Sequence, residues 1–85
     1  MFNRLLKTVG VEVGDQIYAV RYYEGKTLRG VRRYSSEIVL GPTDRIILDD
    51  DSMDNLESKV GRFVPATVYS RALYSRALTA HATAA

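Results

Sequence analysis

Four side chains in this sequence have the clearest chemical potential: Arg21, Tyr23, Arg29 and Arg33. They lie in a basic ribbon, residues 21–34, with five cations and one anion. Guanidinium groups fit phosphate and carboxylate oxygens through paired hydrogen bonds, and tyrosine rings can stack on bases. A sheet face bearing these residues would suit RNA, single-stranded DNA or an acidic protein partner. The plainer reading is a solvated sheet face. A second plain reading pairs the arginines with acids of the same chain or of a second copy.

Residues 44–57 reverse the sign. They carry six anions (Asp44, Asp49, Asp50, Asp51, Asp54, Glu57) and one cation, Arg45. Asp49, Asp51 and Asp54 could gather a hard cation such as Mg²⁺ or Ca²⁺ through carboxylate oxygens. Their spacing lacks the glycine and terminal glutamate of an EF-hand loop. A capped helix start explains the same residues, because anions suit the first turn of a helix. No metal and no cofactor is therefore expected. From residue 58 onward there are four cations and no anion. A chain that sorts its charges this way can present faces of opposite sign to itself, to a copy or to a partner.

Other chemistry has little support. His81 sits in an Ala/Thr segment without a neighbouring ligand or acid. No serine has a Gly-x-Ser-x-Gly context, and Gly10 and Gly14 lack the third glycine of a dinucleotide fingerprint. The chain has no cysteine, which excludes disulfides, thiolate metal sites and a cysteine nucleophile. An enzyme is not expected.

The elements that would position these residues follow from periodicity. Val9, Val11 and Val13 alternate as in a half-buried strand. Gly14-Asp15 offers a turn, and residues 16–23 read as a second strand rich in β-branched and aromatic residues. A two-residue loop sets Val13 opposite Gln16, Val11 opposite Tyr18 and Val9 opposite Val20. One face then collects the valines with Tyr18 and Tyr22.

A turn at Glu24-Gly25 should lead into a third strand over 27–34. A two-residue loop there would bury Arg29 and Arg33. A three-residue loop, Glu24-Gly25-Lys26, turns Leu28, Gly30, Arg32 and Tyr34 inward and leaves Arg21, Arg29 and Arg33 together outside. The second is favoured, because burying unpaired charge is costly.

Residues 37–40 and 45–48 flank Gly41-Pro42-Thr43-Asp44, a strong turn signal. Their weak alternation suggests strands covered on both faces. Met53, Leu56, Val60 and Phe63 then mark a helix over about 52–63, capped by Asp50, Asp51 or Ser52. Val64-Pro65 should end it. Residues 66–78 suit either a strand or a helix and contain Tyr-Ser-Arg-Ala-Leu twice in tandem.

The 85 residues and the 46% apolar content suit one small domain. The expected fold is α+β: an antiparallel meander of about five short strands over 9–48, packed by one helix. The domain should span 1–78, with a disordered tail over 79–85. No run is long enough to span a membrane and no signal-peptide pattern is present, so a cytoplasmic location is expected. The expected function is a small non-enzymatic protein-interaction module. Its partner would be a second copy, as a homodimer, or an acidic protein. The alternative is nucleic-acid binding through Arg21, Tyr23, Arg29 and Arg33.

Overall fold

In the computed structural model, backbone is described for residues 4–84 and side chains for residues 4–76. Four strands, β1 (Arg4–Val13), β2 (Gln16–Lys26), β3 (Arg32–Gly41) and β4 (Asp44–Asp50), precede one helix, α1 (Met53–Ala84). The strands form an antiparallel sheet in the order β1-β2-β3-β4. α1 packs on one face, so the fold is α+β.

The first hairpin has the expected register: Val13 opposes Gln16, Val11 opposes Tyr18 and Val9 opposes Val20. Gly14, at φ +64°, opens the two-residue turn, a conformation that costs glycine little. A bulge between Leu5 and Lys7 rotates the start of β1. Lys7 therefore faces the helix, reaching Glu57 at 3.2 Å and lying 5.2 Å from the Tyr22 ring centre.

The strand count is four, not five. The segment expected as a third strand over 27–34 is split. Residues 27–31 form the β2–β3 loop, and β3 runs unbroken from Arg32. Local hydrogen bonds decide this. The Thr27 carbonyl accepts from Gly30 N–H at 2.9 Å, and the Thr27 hydroxyl accepts from Val31 N–H at 3.1 Å. Gly30 takes φ +80° to close the turn. Lys26 opposes Arg32 and Gly25 opposes Arg33. Tyr34 still faces inward, but Leu28 and Gly30 belong to the loop.

Val20, Tyr22 and Ile38 from the sheet meet Leu56, Val60 and Val64 from α1 in the core. Burial of such side chains stabilises each by roughly 1.5–3 kcal/mol relative to exposure. The β3–β4 pair was expected to be covered on both faces, yet Ile47 is 63% exposed on the side away from the helix. One helix can cover only one face.

Ser52 caps α1. Its hydroxyl accepts from Asn55 N–H at 3.3 Å, and its own N–H donates to Asp50 at 3.0 Å. The helix does not stop at Val64-Pro65. Proline cannot donate to the carbonyl of Gly61 four residues earlier, but Pro65 lies on the exposed side. Val60, Val64 and Val68 keep a packed stripe running past it. Tertiary packing overrides the local stop signal, and residues 66–78 are helical. The disordered tail expected over 79–85 falls where side chains lie outside the described residues.

The molecule measures 55 × 25 × 20 Å, because α1 outruns the sheet. At 1.5 Å per residue its 32 residues extend about 48 Å. No helix among the described residues is long and apolar enough to cross a membrane.

Candidate functional site

The face of the sheet away from α1 collects Arg21 and Tyr23 from β2, Arg33 and Glu37 from β3, and Arg45, Ile47 and Asp49 from β4. Strand alternation puts them there, since successive side chains point to opposite faces. Three of the four residues expected to form a binding face, Arg21, Tyr23 and Arg33, do share it. Arg29 does not: it belongs to the β2–β3 loop and is exposed on that hairpin.

The arginines of this face are not free. Arg21 donates to Glu37 at 2.8 Å, and Arg45 donates to the other oxygen of the same carboxylate at 2.9 Å. Arg33 donates to Asp49 at 2.8 Å. Cross-strand pairing explains the contacts, because Arg21 stands opposite Glu37 and Ser35 opposite Asp49. The hydrogen bond from Arg45, then that from Arg21, holds the Glu37 carboxyl below its ordinary range. Alternating charges thus form a row across β2, β3 and β4.

Arg29 has no ion-pair partner among the described residues, and neither have Lys26, Arg62 and Arg76. Next to Arg29, Leu28 is 99% exposed at the hairpin tip.

The acidic run is used locally. Asp49 pairs with Arg33. Lys59 binds the Asp50 carboxylate at 2.8 Å and the Asp49 carbonyl at 3.1 Å. The Lys59 hydrogen bond, followed by the Ser52 N–H, holds the Asp50 carboxyl well below the usual range. Among the described residues no three His, Cys, Asp or Glu side chains gather as a metal site. Asp49, Asp51 and Asp54 are therefore not assembled as metal ligands.

A hollow of about 380 Å³ lies between the β2–β3 hairpin and β4, with Gly25, Ser35, Arg33, Ile47 and Asp49 in its lining. Its charged groups are bound to each other.

The sheet has two unpaired edges, β1 and β4. β1 carries the bulge, which blunts an edge as a template for pairing. β4 pairs with β3 only, leaving its other side open. The residues expected to bind did not include the β4 edge. The available signal was the period-2 order Arg45, Ile47, Asp49 within a run bounded by acids at both ends. No protein-family model matches the chain, and no curated protein or solved structure matches it.

Proposed function

We propose that this chain is a small non-enzymatic protein-interaction module that self-associates as a homodimer. One observation carries the reading: β4 is an open edge strand whose side chains Ile46, Ile47 and Leu48 are apolar and whose flanks are charged with both signs. Open edges pair readily with another chain. The outer sheet face supports a second copy as partner. Glu37 and Asp49 stand between Arg21, Arg45 and Arg33 there, so the signs alternate and a copy meets no unbroken block of like charge. A cytoplasmic setting is part of the proposal.

Sedimentation across a concentration series tests it. The expected result is a mass near twice the 9.5 kDa monomer, with association weakened by salt. A monomer at every concentration in low salt overturns the reading.

Nucleic-acid binding is the second reading, and the unpaired Arg29 beside the exposed Leu28 favours it. It requires salt-dependent binding of RNA or single-stranded DNA oligonucleotides. In a fluorescence titration, Arg29→Glu with Arg33→Glu would weaken that binding. No binding at low salt removes this reading.

A further inference from the structure

We propose that two copies join edge to edge through β4, antiparallel about a two-fold axis at Ile47. The inference rests on the self-association proposed above and specifies its surface.

The strand reads Asp44-Arg45-Ile46-Ile47-Leu48-Asp49-Asp50. Laid antiparallel on itself about Ile47, it sets Arg45 opposite Asp49, Ile46 opposite Leu48, and Ile47 opposite its own copy. The contact is isologous, so the first two pairings each occur twice. Each of these joins opposite charges or apolar partners. The end pair, Asp44 with Asp50, brings two carboxylates together, but both already hold a cation. Arg71 binds Asp44 at 2.6 Å and Lys59 binds Asp50 at 2.8 Å.

Other registers lose this match. Side chains directly opposite each other point to the same face. A shift by two residues is the smallest that keeps both helices on one side of the joined sheet. It sets Ile47 against Asp49 or against Arg45.

The layers above and below the strand agree with the register. On the outer face, the row Arg21–Glu37–Arg45 continues into Asp49 and Arg33 of the second copy. Signs alternate across the seam. The Arg45 and Asp49 side chains are 58% and 66% exposed, so both have room for a second partner. On the other face, Lys59 reaches Asp50, which fixes the flank of α1 that lies on the β4 side. Phe63 is one turn further along the same flank and is 48% exposed. The joined sheet would offer it apolar surface from Ile46 and Leu48 of both copies.

The chain has no cysteine, so Ile47→Cys supplies a single thiol at the proposed axis. Directly opposed residues of an antiparallel pair lie within disulfide reach. Under mild oxidation Ile47→Cys should form a covalent dimer, and Thr43→Cys, in the β3–β4 turn, should not. Arg45→Asp and Asp49→Arg each place like charges opposite one another twice. Each alone should raise the dimer dissociation constant on the order of tenfold or more. An equimolar mixture of the two should recover dimer, because the heterodimer restores both pairings. Circular dichroism of each variant confirms the fold, and recovery in the mixture excludes misfolding as the cause of dissociation.

Two outcomes overturn the proposal in different ways. A monomeric wild-type chain removes self-association altogether and leaves β4 to a strand of another protein. A wild-type dimer whose charge variants stay dimeric, with no Ile47→Cys cross-link, removes the β4 register and leaves self-association standing.

Discussion

Arg71, in the middle of α1, donates two hydrogen bonds to Asp44 at the start of β4, at 2.6 and 2.9 Å. This two-pronged contact ties the helix to the sheet six residues beyond Pro65. The geometry is the strong one for a guanidinium and a carboxylate. Arg71→Lys keeps the charge and loses the fork. It should speed amide exchange along the helix after Val68 while leaving the Leu56 region protected. Equal protection in both proteins would show that Val68 alone holds this part of α1. Exposure of the pair limits its effect on global stability.

Acid should destabilise the domain. Asp50, Asp44 and Glu37 all have carboxyls held below their ordinary values, chiefly through hydrogen bonds from Lys59, Arg71 and Arg45 respectively. A carboxylate with a lower pKa folded than unfolded contributes stability above the unfolded value. That contribution is lost as pH falls through the folded value. The melting temperature should therefore hold from neutral pH down to about 5 and drop below about pH 4. Asp44→Asn should make the drop shallower. A melting temperature that rises on acidification would contradict the assignment.

Ser36 is wholly buried in the sheet, and its hydroxyl finds no hydrogen-bond partner among the described residues. An unsatisfied buried hydroxyl costs about 1–3 kcal/mol. Ser36→Ala should leave denaturant stability unchanged or raise it by about 1 kcal/mol. A clear loss of stability would mean that the hydroxyl is bonded. Ser36→Leu should destabilise, since Ser36 lies between Tyr22 and Leu48 on the neighbouring strands.

Pro65 withholds a hydrogen bond from Gly61 inside α1, at a cost of about 3 kcal/mol for an interior position. Pro65→Ala should raise the melting temperature and the helical signal in circular dichroism. The side chain is exposed, so little packing is lost. A lower melting temperature would show that the proline sets a bend the core requires.

Leu56 anchors the helix with no exposed surface. Leu56→Ala should cost about 2–5 kcal/mol in chemical denaturation. Phe63→Ala, on the exposed flank, should cost far less in the monomer. If the two were equal, the core would have been placed on the wrong helix face.

Much of the fold was legible because it rests on local rules. The alternating valines and Gly14-Asp15 specify the first hairpin, since a two-residue turn leaves one register that buries a single face. Ser52 and the spacing of Met53, Leu56 and Val60 specify where the helix starts and which side it buries, but Phe63, expected on the same face, is 48% exposed and Val64 takes the core position instead. The opposed charge blocks along the chain are equally a property of the sequence.

What the tertiary structure decided depended on distant partners. Pro65 carries a local signal to stop, and only the sheet beneath Val64 and Val68 shows that the helix continues. The loop over 27–31 hangs on the Thr27 hydroxyl and on Gly30 at positive φ, whereas periodicity there suggests a strand. The basic ribbon changed most. Arg21 and Arg33 are cations in the sequence, but cross-strand register delivers each to a carboxylate, Glu37 and Asp49, 16 residues away. Charge order along a chain is set by composition. Which charges remain free is set by pairing, and pairing exists only once the sheet has formed.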